Sequence, residues 1–336
     1  MAEQQQRKTM SHQDFMQDPY FKKWYPVWIQ NAMEVYPLIK KQFKTADRCV
    51  SCLPRPMNRP AIILGSGPSL DRAAPLLKNW KNPIFSSTST AFVTPRWGRK
   101  PEFMCAFDSL WSLYNQHLRL DKNYNWKGTT LFTHPNAEPM LMKLWKWDTY
   151  YYRRIFPGHE FFEHTFPLMF PWIKIGFVFS GCVVNNAISI ATFLGYSPLI
   201  LVGVDFGWQD DTKTKATNWE PDGENWIKLP EMPIDKRRKL IVYPNGTHTH
   251  DNYFGFKNHL LGIYSSGITE GTGVDIVDCS DGLIEEFAKA DIEHVIKTQG
   301  WGDYGIDRAE TQRKIEKYFK DFNSGKFVDV KEAPSE

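Results

Sequence analysis

The sequence predicts an α/β protein with a three-layer, Rossmann-like core, in which a mostly parallel sheet carries helices on both faces. Short apolar runs of strand length alternate with stretches of helical spacing along most of the chain, as they do in doubly wound sheets. The first run, Ala61–Leu64, passes directly into a glycine turn and then into a helical pattern. The most pronounced run, Pro198–Val204, is followed by Asp205. With 42% hydrophobic residues among 336, the chain can bury a substantial core.

The N-terminal part is expected to add a helical appendage to this core. Phe21–Phe43 places large apolar side chains near helical spacing, and Pro37 suggests a break in that helix. Met1–His12 is polar and lacks the apolar segment of a signal peptide. We therefore expect a tail and helical appendage over 1–57, a nucleotide-binding core over 58–296, and a charged helix and tail over 297–336.

The elements of the core follow from the same alternation. It predicts further strands at Ile84–Thr88, Glu102–Asp108, Thr129–Thr133, Thr149–Ile155 and Val274–Cys279. It predicts helices at Leu70–Trp80, Leu110–Leu118, Glu138–Trp147, Gly181–Leu194, Tyr253–Ser265, Leu283–Ile296 and Asp307–Phe322. Gln209–Arg238 is polar and has neither period, which predicts a long loop of the kind that often covers a site.

The turn Gly65-Ser66-Gly67 is the first candidate binding element. Its glycines carry no Cβ, so the backbone can approach a ligand closely. Ser69 is placed to cap the helix that follows, and free N–H groups at a helix start favour phosphate. Leu70 stands where the third glycine of a dinucleotide fingerprint belongs. The alternative is an ordinary tight turn between a strand and a helix.

Composition argues against several classes of protein and site. A net charge of +3 gives no case for nucleic-acid binding. The longest apolar tract, Gly181–Val204, is interrupted by asparagines and a proline, which favours helix, turn and strand over a membrane span. Five cysteines in a chain without a secretory segment predict reduced thiols and a cytoplasmic location. Cys49 and Cys52 have no second ligand pair, so ordinary thiols are preferred to zinc.

Four segments, in this order, carry a resemblance to a known family. They are AIILGSGPSLD at Ala61–Asp71, KPEFMCAFDS at Lys100–Ser109, the tract from Phe179 to Trp208, and GTHTHDNYFGFK at Gly246–Lys257. Together they resemble the 6-hydroxymethylpterin diphosphokinase MptE-like family, which includes the central domain of the motility accessory factor glycosyltransferases. The resemblance runs from about Asn58 to Ile296. A looser similarity connects it to bacterial sialyltransferases that use CMP-activated sugars.

This resemblance implies a nucleotide-dependent transferase with two alternative chemistries. The family name implies transfer of diphosphate from ATP, with Mg²⁺, to a hydroxymethylpterin-type acceptor. The looser similarity implies transfer of a sugar, such as a CMP-linked nonulosonic acid, to a small-molecule or glycan acceptor. The archaeal diphosphokinases have two acids where this chain has only Asp108, and this departure favours sugar transfer. A nucleotide-binding module without catalysis is a third hypothesis.

Two acids at predicted strand ends are candidates for the site, because ligands of doubly wound sheets bind outside the carboxyl ends of the strands. Asp108 would hold Mg²⁺ against nucleotide phosphates, or cap the helix that follows. Asp205 would bind the nucleotide, or order its loop by accepting hydrogen bonds.

Further candidates lie in the two later segments of the resemblance. Ser180 and Gly181 begin a helix whose first N–H groups are free, and Asn185, with Asn186, could bind a base or ribose. The cluster of His248, His250 and Asp251 is suited to general-base chemistry, with Asp251 orienting an imidazole. Its alternative is a polar turn. The aromatic side chains of Tyr150–Trp172 could stack on an acceptor, but a core role is the stronger interpretation.

Overall fold

The structure is a computed structural model that describes residues 17, 19–109, 124–159, 161–178, 181–209, 214–222, 224–230, 240–243, 246–271 and 273–324. The predicted helix Leu110–Leu118 and the candidate Ser180 lie outside the described residues. By their contacts, the residues form two compact units. Unit 1 consists of Met1–Pro54, Ala106–Asn123 and Thr130–Phe179, and unit 2 of Arg55–Cys105, Tyr124–Thr129 and Ser180–Glu336. The predicted domain boundaries at 57 and 296 stay predictions.

The α-helices of the described residues are α1 (Pro19–Phe43), α2 (Leu70–Ala73), α3 (Pro139–Leu144), α4 (Phe166–Met169), α5 (Val183–Phe193), α6 (Asp251–Thr269), α7 (Ile292–Thr298) and α8 (Arg308–Asn323). The strands are β1 (Arg59–Leu64), β2 (Ile84–Ser87), β3 (Phe103–Cys105), β4 (Thr130–Thr133), β5 (Thr149–Tyr151), β6 (Arg153–Ile155), β7 (Gly176–Val178), β8 (Tyr196–Val202), β9 (Trp219–Asp222), β10 (Asn225–Lys228), β11 (Leu240–Val242), β12 (His248–His250), β13 (Ile276–Asp278) and β14 (Ala288–Lys289).

The main sheet has eight strands in the order β14-β13-β8-β1-β2-β3-β4-β5. The pairings of β1 with β2 and β8, of β13 with β8 and β14, of β2 with β3 and of β4 with β5 are all parallel. The expected α/β fold with a mostly parallel sheet and an N-terminal helix is therefore confirmed. β1 and β8 are neighbours although more than 130 residues separate them, so the glycine turn and Asp205 follow adjacent strands.

The core of unit 2 lies on both faces of β1. Ile62 of β1 and Val202 of β8 are buried in one cluster with Leu77, which follows α2, and with Val295 of α7. Helix α5 packs against β1, β2 and β3, and none of its described residues belongs to that cluster, so it covers the opposite face. Burial on both faces is typical of a strand in a parallel sheet.

The core of unit 1 is aromatic. Helix α1 buries Trp28 and Ile39 among rings that include Phe156 and Phe162, with ring centroids 4.9 Å apart for Trp28 and Phe156. Helix α1 continues through Pro37 without the expected break. The core interpretation of the stretch Tyr150–Trp172 is confirmed, because its phenylalanines form this cluster.

Three predicted elements differ from the structure. The helix Leu70–Trp80 is only the single turn α2 followed by a 3-10 turn, because Pro75 interrupts the pattern between them. The helix predicted at Leu283–Ile296 is wrong in its first half, where β14 adds a strand before α7. The loop predicted at Gln209–Arg238 contains the antiparallel hairpin of β9 and β10 among its described residues.

The remaining short strands also depart from the prediction. The single strand expected at Thr149–Ile155 is two strands, β5 in the main sheet and β6 paired with β7 in a separate two-stranded sheet. The strand expected at Glu102–Asp108 is the shorter strand β3, which ends at Cys105. Asp108 therefore lies three residues beyond the strand rather than at its end.

Candidate functional site

The glycine turn is pressed against the end of β8 in unit 2. The N–H of Gly65 donates to the carbonyl of Val202 at 2.9 Å, and the N–H of Gly67 donates to that of Gly203 at 2.7 Å. A Cβ on Gly65 would lie 2.1 Å from the carbonyl oxygen of Gly203. Glycine is therefore required here by the close approach of two backbone segments, whether or not a ligand is bound.

Asp205 fixes the far side of this turn. Its Oδ2 accepts the N–H of Ser69 at 2.9 Å, and its Oδ1 accepts the Ser69 hydroxyl at 2.6 Å and the Asp281 N–H at 3.2 Å. The carboxyl is 3% exposed, and burial raises its pKa to about 6 although the hydrogen bonds from Ser69 oppose that rise. In this structure Asp205 orders its loop and the start of α2, which is the structural role foreseen as one of its two alternatives.

These hydrogen bonds change the expected roles of Ser69 and the turn. Ser69 is the N-cap residue of α2, as predicted, but its side chain makes no capping bond, because its hydroxyl donates to Asp205. The N–H groups of Gly65, Gly67 and Ser69 all donate within the protein. Ser66 is half-buried, and its carbonyl accepts the N–H of Ala216 at 2.9 Å. The turn therefore offers a phosphate fewer N–H groups than the sequence suggested.

A hydroxyl-rich turn lies beside the glycine turn and was missed by the sequence analysis. Because Ile63 pairs with Phe85, the end of β2 continues next to Gly65. Here Ser87 Oγ lies 2.7 Å from Ser89 Oγ and 3.0 Å from Thr90 Oγ1, and Ser86 Oγ lies 2.9 Å from Thr90 Oγ1. Hydroxyls both donate and accept, so such a group suits phosphate or ribose oxygens. The signal was the unbroken run of five hydroxyl residues from Ser86 to Thr90.

The first turn of α5 brings two buried asparagines toward the same edge of the sheet. Helix α5 leads directly into β8, so its N-terminus lies at the carboxyl edge of the strands. Asn185 donates from Nδ2 to the carbonyl of Phe256 at 2.9 Å. Asn186 is 1% exposed, and neither its Oδ1 nor its Nδ2 forms a hydrogen bond within the described residues. Buried amides are almost always paired, so Asn186 is the stronger candidate for a ligand contact.

Gly181 has a structural reason to be glycine. Its φ is +79°, and a Cβ there would lie 2.8 Å from the ring of Phe256. The backbone of the turn before α5 therefore packs against α6. This contact also explains why Asn185 reaches the Phe256 carbonyl.

Strand β12, which carries His248 and His250, is hydrogen-bonded to the chain that follows Asp205. Trp208 and His248 exchange backbone hydrogen bonds, at 2.9 Å from the Trp208 N–H and 2.8 Å from the His248 N–H. Thr249 donates from its hydroxyl to the carbonyl of Phe206 at 2.6 Å. The buried ring of Trp208 lies 5.0 Å from the ring of His250, centroid to centroid. The glycine turn, Asp205 and the histidines thus belong to one connected arrangement in unit 2.

Asp251 does not pair with His250. It begins α6, is exposed, and accepts the N–H of Asn252 on Oδ1 at 2.8 Å. The expectation that its carboxylate orients the His250 ring is wrong for this conformation, because the helix start turns the carboxylate onto the backbone. His250 itself is 4% exposed and lies at the junction of β12 and α6.

Asp108 belongs to unit 1, in a segment that is hydrogen-bonded to β4 and to the chain that follows it. It is exposed, and its carbonyl accepts the N–H of Glu138 at 2.9 Å. The next carbonyl, that of Ser109, accepts Asn31 Nδ2 at 3.0 Å. The guanidinium of Arg154 lies 4.5 Å from the ring centroid of Phe107 and is almost fully buried. The alternative role of Asp108, capping the next helix, falls on residues outside those described.

The two acids predicted at strand ends, Asp108 and Asp205, are the candidate ligands for magnesium. Asp205 already accepts three hydrogen bonds and is buried, so its oxygens are not presented to an ion. Asp108 supplies a single exposed carboxylate. Across the described part of the chain, no three His, Cys, Asp or Glu side chains are grouped to hold a metal. Asp205 is therefore not available as a magnesium ligand in this conformation, and the expected role of Asp108 as that ligand stays a prediction.

The family comparison adds to this geometry. The model for the family described as 6-hydroxymethylpterin diphosphokinase MptE-like matches residues 30–211, which is more than half of the chain. The chain belongs to the MptE-like family. The match begins within α1 and ends after Trp208, so it includes the glycine turn, Asp108 and Asp205. It does not reach His248, whose segment extends the predicted resemblance beyond the family model.

A solved structure shares the fold of this MptE-like protein. The MAf glycosyltransferase from Magnetospirillum magneticum AMB-1 is similar with a TM-score of 0.52 and 19% sequence identity. The alignment covers 81% of this chain and 38% of the glycosyltransferase chain, so this protein spans well under half of its neighbour's length. Among curated proteins, none matches the chain. At this identity, the similarity to the glycosyltransferase shows a shared fold.

The fold also bears on membrane association. Among the helices of the described residues, none combines the length and the apolar character that crossing a bilayer requires.

Proposed function

We propose that this MptE-like protein is a glycosyltransferase that uses a nucleotide-activated sugar, with the nucleotide bound at the carboxyl edge of β1 and β2. One observation carries the proposal. The Asp205 carboxylate holds Ser69 of the glycine turn, and three residues later Trp208 is paired with the histidine strand. Three residues of extended chain span at most about 11 Å. The points at which this stretch contacts the glycine turn and the histidine strand are therefore close enough for one donor molecule to reach both.

The nucleotide would be recognised mainly by hydroxyls and amides. Ser66 borders the glycine turn, the cluster of Ser87 and Thr90 follows β2, and the buried amide of Asn186 lies in the first turn of α5. An amide offers two donors and an acceptor, which fits the edge of a base or a ribose. None of these side chains is charged, so they would hold the nucleotide sugar by hydrogen bonds.

His250 is the proposed general base, with His248 as the alternative. A neutral imidazole would accept the proton of the acceptor hydroxyl while that oxygen bonds to the anomeric carbon of the donor sugar. The bond from that carbon to the phosphate oxygen breaks, and the electron pair leaves with the nucleotide. General-base assistance of this kind contributes on the order of 10²–10⁴-fold. The buried ring of Trp208 against His250 limits the positions that the imidazole can adopt.

Diphosphate transfer from ATP is the second candidate function. The family description favours it. When bound, Mg²⁺ would neutralise charge on the phosphates during displacement. The exposed carboxylate of Asp108 is the residue foreseen to hold that ion. Against this stands the sequence at Asp108, which has one acid where the archaeal diphosphokinases are expected to have two.

A thermal-shift panel distinguishes these candidates. The chain is heated with ATP, CTP, CMP, UDP or GDP, each with and without Mg²⁺, because a ligand that binds only the native state raises the melting temperature. Stabilisation by a nucleotide without metal supports sugar transfer. Stabilisation by ATP that requires Mg²⁺ supports diphosphate transfer and overturns the first proposal.

Hydrolysis of a nucleotide sugar then tests the base. We expect His250→Gln to lower the slow hydrolysis of the donor at least 100-fold, and the exposed His294→Gln to leave it unchanged. His248→Gln is measured in parallel, because it is the alternative base. Nucleotide binding with no hydrolysis or transfer by any variant, the wild type included, would support the non-catalytic module instead.

A further inference from the structure

A cavity in unit 2 lies beside the C-terminal helix. It has a volume of about 360 Å³ and is bordered by Tyr243, by Lys257 of α6, by the segment Leu283–Glu286, and by α8. That volume suits a ligand of monosaccharide size. Helix α8 and the other borders all lie beyond residue 211, so the family match does not include this cavity.

At the floor of this cavity, the positive charge of Lys257 is paired with the negative charge of Glu286. Lys257 is 3% exposed, and its Nζ donates to the carbonyl of Leu283 at 2.7 Å and pairs with Glu286 Oε1 at 3.0 Å. The same ammonium lies 4.3 Å from the ring centroid of Tyr318. Burial lowers the pKa of Lys257, and the Glu286 carboxylate opposes that change. A buried charge with these partners fixes the shape of the floor and is not itself presented to a ligand.

One polar atom of the wall is left without a partner. The hydroxyl of Tyr243 is buried and forms no hydrogen bond within the described residues. The neighbouring Tyr318 hydroxyl donates to Asn258 Oδ1 at 2.6 Å, so its proton is not available to Tyr243. A buried hydroxyl without a partner costs free energy, which a ligand hydroxyl or anionic oxygen would recover.

The rim carries two ammonium groups on one side. Lys314 and Lys317 are exposed and three residues apart on α8, so they share a face of the helix. Neither forms an ion pair with any residue that the structure describes. Glu285, also exposed, borders the same cavity and provides an acceptor for a hydroxyl group.

From these groups we infer a binding site for a small anionic polyol, either a sugar acid or a sugar phosphate. Lys314 and Lys317 would hold the anionic group, while Tyr243 and Glu285 would bind hydroxyls. An apolar ligand does not match charged walls, and a bare anion would leave the Tyr243 side of the cavity unused. The inference does not rest on the proposed function, because none of the residues assigned to nucleotide or base borders this cavity.

Isothermal titration of the full chain tests the site with D-glucose 6-phosphate, D-gluconate, inorganic phosphate and D-glucose. We expect glucose 6-phosphate or gluconate to bind, and whichever binds more tightly identifies the anionic group. The double variant Lys314→Ala/Lys317→Ala should weaken that binding about tenfold or more, since charge-assisted hydrogen bonds are lost. Lys297→Ala/Lys320→Ala removes the same charge from exposed positions that do not border the cavity and should bind like the wild type.

A second variant separates a ligand contact from a structural role. Tyr243→Phe removes only the unpartnered hydroxyl, so the melting temperature should stay the same or rise while ligand affinity falls severalfold. A loss of stability with unchanged affinity would assign the hydroxyl to the fold and overturn its part in the site. The site itself is disproved if inorganic phosphate or glucose binds as tightly as the charged sugars, or if both double variants bind alike.

Discussion

The carboxylate of Asp205 accepts hydrogen bonds from both donors of Ser69, from the backbone N–H at 2.9 Å and from the hydroxyl at 2.6 Å. One acid therefore connects the end of β8 to the start of α2. Because the chain continues from Asp205 to Trp208 and its pairing with His248, this contact also relates the glycine turn to the histidines. The Asp205 side chain is thus the structural centre of the candidate site.

The pH dependence of stability tests the environment of Asp205. Its pKa is raised from 3.8 to about 6, so between about pH 4 and 6 the folded state holds a proton that the unfolded state has released. This group then lowers the free energy of unfolding as the pH rises through that window, by up to about 3 kcal/mol. In urea unfolding at pH 4.5, 5.5 and 6.5, Asp205→Asn should gain stability relative to the wild type as the pH increases.

The exposed neighbour Asp281→Asn is the control for that experiment. Its carboxylate pairs with Arg72 in a solvent-exposed salt bridge, so the difference from the wild type should vary little over the same range. An Asp205→Asn curve parallel to the wild type would mean that the carboxyl titrates near its ordinary value.

Much of this arrangement follows from local sequence. The strand Ala61–Leu64, the glycine turn and the strand ending before Asp205 each have a strong short-range pattern, and their positions agree with β1 and β8. The contact between Asp205 and Ser69 spans 136 positions. No local pattern shows that the carboxylate accepts the Ser69 N–H and hydroxyl, so the sequence places Ser69 correctly at the N-cap but not the hydrogen bond of its side chain.

Two other errors have the same origin. Asp251 follows His250 directly, which suggested a pair, but the start of α6 places its carboxylate on the N–H of Asn252. Leu283–Ile296 has an apolar pattern compatible with a helix, yet β14 forms there because it completes the sheet beside β13. In both cases a tertiary contact or a helix start overrides spacing along the chain.

The tight contact of the glycine turn gives a stability prediction. A Cβ on Gly65 would meet the Gly203 carbonyl at 2.1 Å, which is backbone and has no rotamer to change. We expect Gly65→Ala to lower the free energy of unfolding by more than about 2 kcal/mol. Gly262→Ala, within α6 and with nothing within 4 Å of the new methyl, should raise it by about 0.5–1 kcal/mol. Urea denaturation of the two variants measures both effects, and equal stabilities would contradict the packing.

The adjacent asparagines of α5 make a matched pair. Asn186→Leu replaces a buried amide that has no hydrogen bond among the described residues, so stability should rise by about 1 kcal/mol while nucleotide affinity falls. Asn185→Leu removes the bond to the Phe256 carbonyl and should lower stability by about 1–3 kcal/mol. Thermal unfolding with and without nucleotide separates the two. A destabilised Asn186→Leu protein would show that its amide is satisfied by the fold.

The segment after Trp208 is hydrogen-bonded to the chain around the glycine turn. The sequence predicts a long loop over Gln209–Arg238, of the kind that often covers a site, and two of its described residues are hydrogen-bonded to the region of the glycine turn. Thr217 donates its N–H and its hydroxyl to the two oxygens of Asp71, both at 2.8 Å, and the Ala216 N–H donates to the Ser66 carbonyl at 2.9 Å. Movement of this segment would therefore require these bonds to break.

Hydrogen exchange of the full chain tests whether these bonds are the latch of a lid. Asp71→Asn replaces one carboxylate oxygen with an amide NH2 group that donates instead of accepting, so exchange in residues 214–222 should become about tenfold faster. Asp222→Asn changes an exposed acid at the end of β9 and should leave that exchange unchanged. If the segment closes over a bound nucleotide, adding the nucleotide should slow exchange there and restore part of the protection lost in Asp71→Asn. Equal exchange with and without nucleotide in the wild type would instead make the segment a fixed part of the surface.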